Sequence, residues 1–236
     1  MTVRRVRPGL FFDVPAELHR GRHKLSRDEV RTAQRERLMA AFTELLASSG
    51  YAGVRVTDIA VRAGVSNGAF YEVFKDKEDC AYAAYGRFIE VLVRRMRDGL
   101  GPSESWREYT QMALDAYLGA LEDDLVVARA FQVEMDALGT GARERRRLAL
   151  TGLAQLFLDA EAELSKSDPL MVPQSLNVHL GIVYAVRQLA CDALDAQDKP
   201  DLRALAAEVL DWIVATSYPE GEPSAVRGAA APVARL

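Results

Sequence analysis

The chain has 236 residues, of which 49% are hydrophobic and 27% charged, a composition typical of a globular protein with one large or two modest cores. No apolar run approaches the roughly 20 residues that a membrane span requires. Residues 10–12 are too short an apolar stretch for a signal peptide. We therefore expect a cytoplasmic protein that does not contact a membrane.

The net charge of −4 is distributed unevenly along the chain. Residues 1–77 carry 14 Lys and Arg against 9 Asp and Glu, whereas residues 78–236 carry 16 against 25. A surface that faces phosphates is therefore expected at the N-terminal end, and the acidic remainder favours solubility.

Residue types that form catalytic or metal sites are scarce. The histidines are His19, His23 and His179, and the two cysteines, Cys80 and Cys191, lie 111 positions apart. The sequence contains no Gly-rich phosphate loop and no nucleophile elbow. We therefore predict that the protein is not an enzyme, that it has no cofactor or metal site, and that both thiols are reduced and partly buried.

In chain order, residues 1–30 are rich in Arg, Pro and Gly, show no sustained period, and are predicted to form a flexible basic arm. From residue 31 an apolar stripe at helical spacing predicts a helix that Gly50 ends. Two short helices follow, over residues 56–63 and 67–74, with Gly64 at the turn and Ser66 placed to cap the second. A long helix then covers residues 76–98.

The rest of the chain is predicted to be helical as well. The expected helices cover residues 103–122, 125–138, 143–164, 174–196 and 201–217, and residues 219–236 are predicted to be a disordered tail. No stretch shows the alternation of a strand. The predicted fold class is all-α, with a small unit at residues 31–77 and a larger helical bundle at residues 78–218.

Residues 56–77 meet the physical requirements of a helix-turn-helix. Ile59, Val65, Phe70 and Phe74 are spaced to wedge the two short helices into a rigid elbow around Gly64. The second helix begins with small residues, so its backbone can enter a major groove about 12 Å wide.

This block resembles the DNA-binding domain of the tetracycline-repressor (TetR) family. The matching segments are Asp58-Ile59-Ala60, Ala63-Gly64-Val65-Ser66, Phe70-Tyr71 and Phe74-Lys75-Asp76-Lys77-Glu78. Matches at fixed spacing over about residues 31–80 disfavour the alternative, an ordinary helical hairpin. The resemblance implies a three-helix helix-turn-helix domain followed by a larger helical domain for ligand sensing and dimerisation.

By resemblance, Tyr71 and Lys77 grip DNA phosphates, and Lys75 is a further phosphate candidate. Arg55 is another, and it stands where many relatives have a Thr that caps the first helix of the motif. The other residues expected at the phosphates or the groove are Thr57, Ser66, Gly68, Ala69 and, in the arm, Arg22 and Lys24. The alternative for the arm is a solvated tail.

Asn67 and Glu72 are the candidates for contacts to base edges. Asn suits adenine, and Glu can accept a hydrogen bond from cytosine N4. Many relatives have Lys or Arg at position 67, so Asn67 predicts a weaker salt dependence. A salt bridge from Glu72 to Arg22 or Arg35 is the alternative for that residue.

A homodimer is expected because a single short recognition helix contacts too few bases for specificity, whereas a twofold pair matches a near-palindromic operator in double-stranded DNA. The resemblance places the interface on the last two helices. Gly181 costs roughly 1 kcal/mol in mid-helix, which a close helix crossing would explain. The candidate interface residues, which alternatively pack within one subunit, are Leu180, Gly181, Tyr184, Gln188, Cys191, Leu205, Val209 and Trp212.

The resemblance places an effector cavity among the helices between residues 103 and 164. The aromatic and Met residues there suit an apolar or aromatic small molecule, but such stripes also form plain core. A basic cluster at residues 143–147 suggests an anionic ligand or a solvated helix face. The candidate pocket residues are Trp106, Tyr109, Met112, Tyr117, Phe131, Met135 and Phe157.

The sequence thus predicts a sequence-specific DNA-binding transcriptional regulator. Repression relieved by a small-molecule ligand is the expected mode of action. The alternative is a DNA-binding dimer without a sensor, with an architectural or partner-recruiting role. An enclosed cavity would favour the first interpretation.

Overall fold

The computed structural model describes residues 4–14 and 26–221. The predicted all-α class is confirmed, since within these ranges the chain forms helices and no sheet. The helices are α1 (Arg27–Gly53), α2 (Val56–Ala63), α3 (Asn67–Val73), α4 (Lys77–Gly99), α5 (Trp106–Asp123), α6 (Leu125–Ala128), α7 (Thr140–Leu164), α8 (Leu176–Ala196) and α9 (Leu202–Ser217).

Short polar side chains set most of the helix starts. Ser26 and Glu29 form a reciprocal capping box at α1, four residues before the predicted start. Asp76 caps α4, and Ser105 caps α5 three residues after the start we expected. Arg55, at the cap position of α2, makes no such bond, which leaves that helix start without a side-chain cap.

Two glycines shape the helix-turn-helix from the backbone. Gly50 has a φ of 64° and interrupts α1 close to its end. Gly64, with a φ of 67°, closes α2 in the left-handed region that favours glycine. Both positions agree with the turns predicted from sequence.

Residues 125–138 do not form the continuous helix we expected. After α6 the backbone widens into a π-helical turn at Arg129–Val133 and tightens into a 3₁₀ turn at Glu134–Leu138. The carbonyl of Gln132 instead accepts a hydrogen bond from Arg187 of α8 at 2.6 Å, and the Cys191 thiol approaches the same oxygen at 3.3 Å. Tertiary partners therefore replace part of the helical ladder here.

Residues 4–14 are packed, which corrects the flexible arm predicted for this part of residues 1–30. We call them the N-terminal strap. Val6, Phe11 and Phe12 are buried, and the Phe11 ring stacks on Phe88 of α4 with centroids 5.6 Å apart. The apolar triplet that is too short for a signal peptide thus anchors the segment to the helical core.

Buried carboxylates hold the strap backbone. The amide of Val6 donates to Glu44 at 3.0 Å, and the amide of Arg7 donates to Asp124 at 2.7 Å. The strap therefore contacts both α1 and the α5–α6 junction. Residues 15–25, and with them Arg22 and Lys24, lie outside the described residues, as does the predicted tail from residue 222.

The helices of the larger unit pack as a bundle in which α5 lies against α4 and α9, and α7 lies mainly against α8. Across the described residues, no helix is both long enough and apolar enough to cross a membrane. The α4 helix follows α3 after three residues and also forms part of the bundle, so it joins the two units.

Candidate DNA-binding face and effector cavity

The elbow of α2 and α3 is built from buried apolar side chains. Ile59 and Phe70 are fully buried, Phe74 is nearly so, and the Phe70 and Phe74 rings lie 5.8 Å apart. Ser66 accepts a hydrogen bond from the amide of Ala69 and caps α3, as the sequence predicts. This packing presents the opposite face of α3 to solvent.

Most of the described residues expected at DNA are exposed. Tyr71 is 61% exposed, which is unusual for a large aromatic side chain. Ala69 is half-buried, and the exposed members of the set are Arg55, Thr57, Ser66, Asn67, Gly68, Glu72 and Lys75. These side chains are therefore accessible to a partner such as DNA.

The contacts of three charged residues within the chain bear on the DNA contacts predicted for them. Lys77 donates to the carbonyls of Tyr51 and Val54 at 3.0 and 2.9 Å, so its ammonium group closes the end of α1. Arg55 forms a two-point ion pair with Asp58. Among the described residues Glu72 forms no ion pair, and Arg35 lies over the Phe74 ring instead.

A cavity of about 240 Å³ lies in the bundle between α4, α5 and α7. Tyr85, Phe88 and Leu92 of α4 form one wall and Leu150 and Leu153 of α7 another. A second cavity of about 30 Å³ shares part of this lining and extends towards α8 and α9. The residues common to both cavities are Met96, Tyr117, Leu150 and Leu153.

Three side-chain oxygens on these walls are buried and have no hydrogen-bond partner within the described part of the chain. They are Thr110 Oγ1, Tyr117 Oη and Gln132 Oε1. Burial raises the pKa of Tyr117 above its ordinary value, so its hydroxyl keeps its proton near neutral pH. The cavity therefore offers unused donors and acceptors in an otherwise apolar wall.

Three arginines belong to the lining of the larger cavity. Arg97 is exposed, Arg146 pairs with Asp136, and Arg187 is buried against the Gln132 carbonyl. Leu148, also in the lining, is 73% exposed, so the cavity reaches the surface beside it. The site thus combines an apolar interior with positive charge.

The sequence predicted this cavity only in part. Tyr117 and Phe157 line the two cavities as expected, but Trp106, Tyr109, Met112, Phe131 and Met135 are not part of the lining. Trp106 stacks on Tyr109, and Phe131 packs behind Phe88 at 5.1 Å. One wall comes from α4, none of whose residues was among the candidates for the pocket.

A comparison with known protein families identifies the helix-turn-helix segment. The family model described as "Bacterial regulatory proteins, tetR family" matches residues 38–84, which include all of α2 and α3. Residues 38–84 therefore form a DNA-binding domain of the TetR family. The chain is a DNA-binding transcriptional regulator, as the sequence predicts.

Curated relatives of this chain include a fatty acid metabolism regulator and a transcriptional activator. The fatty acid metabolism regulator protein of Bacillus subtilis (strain 168) is 24% identical over 185 residues, covering 75% of this chain and 92% of the relative. The HTH-type transcriptional activator FasR of Mycolicibacterium smegmatis is 31% identical over 110 residues, covering 47% and 48% of the two chains.

Solved structures share the fold over most of the chain. The fatty acid degradation regulator FadR from Bacillus halodurans aligns with a TM-score of 0.67 at 21% identity, covering 77% of this chain and 94% of its own. FadR from Bacillus subtilis, solved in complex with stearoyl-CoA, has the same TM-score at 23% identity and covers 75% and 96%.

The predicted interface residues on α8 and α9 fall into two groups according to their exposure. Gly181, Tyr184, Gln188 and Trp212 are exposed, and Leu180 and Leu205 are partly buried. Cys191 and Val209 are buried within the subunit, because Cys191 faces the Gln132 carbonyl and Val209 belongs to the core. Those two residues are not available to a partner surface.

A second set of buried polar groups joins α7, α8 and α9. Glu161 accepts hydrogen bonds from His179 Nε2 at 2.9 Å, from the Gln174 amide at 2.6 Å and from the Ser217 hydroxyl. Burial by itself raises the pKa of Glu161, but these hydrogen bonds outweigh it and hold the pKa below its ordinary value. We call this set the Glu161 cluster.

Proposed function

We propose that this regulator binds a near-palindromic operator as a homodimer and is released from it by an amphipathic effector with a long apolar chain. The observation that carries the proposal is the position of the cavity, one wall of which is α4, the helix that directly follows the recognition helix α3. Residues 31–77 would then be the DNA-binding domain and residues 78–218 the effector-binding and dimerisation domain.

The DNA contacts follow from the exposed face of α3. Tyr71 and Lys75 would contact phosphates, and Asn67 and Glu72 would meet base edges in the major groove. Lys77 would act from within, because its ammonium group fixes the end of α1 against the start of α4. The exposed α8 and α9 face with Tyr184 and Trp212 would pair the subunits.

The proposed effector class follows from the shape and charge of the cavity. An apolar interior with arginines in its lining suits a molecule that has an aliphatic chain and an anionic head. Stearoyl-CoA, the ligand of the Bacillus subtilis FadR structure, has this form. Displacement of the shared side chains, Met96 above all, would join the two cavities into a channel for an extended chain.

The N-terminal strap supplies a second connection between cavity and DNA-binding unit. Phe88, which lines the cavity, stacks on Phe11 of the strap. Glu44, which holds the Val6 amide, also accepts a hydrogen bond from Arg62 of α2 at 2.5 Å. An effector that moves Phe88 would therefore shift the strap as well as α4, and a coupling of about 1–3 kcal/mol would suffice for control.

The DNA-binding part can be tested with duplexes selected from a random pool by the purified full chain, measured by fluorescence anisotropy at several salt concentrations. Lys75→Ala should reduce the salt slope by about two, because the homodimer loses one phosphate contact in each subunit. Lys166→Ala, which removes an exposed lysine on the opposite unit, is the matched control. An unchanged slope in the Lys75 variant would remove this residue from the interface.

The effector part uses the same selected duplex with stearoyl-CoA, and with coenzyme A alone as the control. We expect stearoyl-CoA to release the duplex and coenzyme A to leave it bound, because only the acyl chain can fill the apolar interior. Tight binding of stearoyl-CoA without any change in DNA affinity would overturn the proposed release. Absence of binding would instead favour the alternative, a DNA-binding dimer without this sensor.

A further inference from the structure

We infer that the effector carries a hydroxyl group on its aliphatic chain, bound inside the cavity by Tyr117 and Gln132, with Thr110 marking a further polar contact deeper in the channel. This inference rests on the proposed function and narrows its effector class. The cavity should prefer a hydroxylated chain to a saturated chain, whereas an entirely apolar cavity would accept the saturated chain.

The first step concerns the cost of leaving such groups unpaired. Thr110 is fully buried, and Tyr117 and Gln132 are more than nine-tenths buried. A buried polar group that lacks a hydrogen bond is destabilising, and folded proteins satisfy nearly all such groups. Three of them on the walls of two adjoining cavities indicate that a ligand supplies their partners.

The orientation of Thr110 supports this. Threonine in a helix commonly donates to a carbonyl three or four residues earlier. Thr43 in α1 does so with Met39 at 2.8 Å, and Thr216 in α9 does so with Ile213 at 2.7 Å. The Thr110 hydroxyl makes no such bond within the described chain and lies on the wall of the smaller cavity instead.

The positions of Thr110 and Tyr117 place both groups along the path of one chain. They are seven residues apart, which puts them on the same face of α5 after two turns. Tyr117 lines both cavities, Gln132 lines only the larger and Thr110 only the smaller. A chain that passes from the larger cavity to the smaller therefore meets Tyr117 and Gln132 before Thr110.

The chemistry of these groups selects the hydroxyl. The protonated Tyr117 hydroxyl can donate, and Gln132 Oε1 can only accept. A hydroxyl group on the ligand can accept from Tyr117 and donate to Gln132 at the same time. A keto oxygen could satisfy Tyr117 alone, and a methylene could satisfy neither.

The experiment compares palmitoyl-CoA with analogues of the same length that carry one hydroxyl, at the third carbon or at mid-chain, using calorimetry on the full chain. We expect at least one hydroxylated analogue to bind about tenfold more tightly than palmitoyl-CoA, since each well-placed hydrogen bond that satisfies a buried group is worth roughly that factor. Equal or tighter binding of the saturated chain would overturn the inference.

Isosteric variants then test whether the cavity residues cause the preference for a hydroxylated chain. Tyr117→Phe should reduce the hydroxyl preference several-fold, measured as the ratio of the affinities for the hydroxylated analogue and for palmitoyl-CoA. Thr110→Val should do the same for an analogue whose hydroxyl lies further along the chain. Thr216→Val, which removes a paired hydroxyl outside both cavities, is the control and should keep the wild-type preference. A preference that persists in both cavity variants would contradict the inference.

The outcomes separate this inference from the proposed function. If neither kind of chain binds or releases the selected duplex, the proposed effector class itself is wrong. If the saturated and hydroxylated chains bind the protein with equal affinity and both release the duplex, the effector class stands and only the hydroxyl inference fails. The second result would mean that buried water satisfies the three groups in the bound state.

Discussion

The helical bundle contains two sets of buried polar groups, and only one of the sets has all its hydrogen bonds within the described residues. In the Glu161 cluster, one carboxylate is fully buried and accepts three hydrogen bonds from three parts of the chain. On the cavity walls, Thr110, Tyr117 and Gln132 are almost as deeply buried but leave oxygens unpaired. The first set has the properties of a structural joint and the second those of a binding site.

The comparison shows why burial of polar residues is by itself no sign of function. A satisfied cluster stabilises the fold only while all its members are present, since removal of one leaves the others unpaired. A set of buried polar groups that lack hydrogen bonds lowers the stability of the fold until a ligand supplies those bonds. The two sets therefore predict opposite responses to substitution.

The largest expected effect concerns the satisfied set. Glu161→Ala should lower the free energy of unfolding by about 3–5 kcal/mol, because it leaves His179, Ser217 and the Gln174 amide without their acceptor. Urea unfolding of the purified protein measures this. Glu163→Ala, which removes an exposed carboxylate two residues away, should change the value by less than about 0.5 kcal/mol. Similar losses in both variants would refute the structural role.

A smaller effect of opposite sign is expected on the cavity wall. Thr110→Val in the effector-free protein should raise the free energy of unfolding by about 1 kcal/mol, because an unpaired buried hydroxyl is replaced by a methyl group. Thr43→Val should lower it by about the same amount, since it breaks the bond to the Met39 carbonyl. If both threonines respond alike in thermal melts, the distinction between the two sets is lost.

The smallest effect concerns pH. The pKa of Glu161 is lower in the folded protein than in the unfolded chain, so the unfolded state binds more protons over the range between the two values. The contribution of Glu161 is therefore complete above about pH 4.5 and is lost as the pH falls through the folded-state value. The stability difference between wild type and Glu161→Gln should shrink when urea unfolding is repeated at falling pH. A constant difference would exclude the linkage.

The sequence predicted the parts of the fold that depend on contacts within a few residues and missed parts that depend on contacts far along the chain. The bounds of α2 and the start of α3 were predicted to the residue, because Gly64 and the Ser66 cap act within one turn. The strap was missed because Phe11 and Phe12 show no period of their own, and their partner Phe88 lies far along the chain. The split of residues 125–138 was missed for the same reason, since Arg187 reaches the Gln132 carbonyl from α8.

The same contrast holds for the two candidate sites, the DNA-binding face and the cavity. Most of the helix-turn-helix residues could be predicted to be exposed because a short motif fixes their spacing. The cavity wall on α4 could not be told from core, since periodicity shows which side of a helix is apolar and not whether that side meets another helix or an empty space. The same limit applies to Cys191 and Val209, which share a helical stripe with exposed residues but face inward.

The amino-acid sequence alone determined the class of this protein: its caps, glycine turns and apolar stripes specify helices and a DNA-binding elbow through interactions within a few residues. Only the tertiary structure decided which buried polar groups found partners, because those partners come from helices far apart in sequence. Glu161 meets its donors and Thr110 meets none in the described chain. That difference depends on how the helices pack, and it separates the structural joint from the proposed effector site.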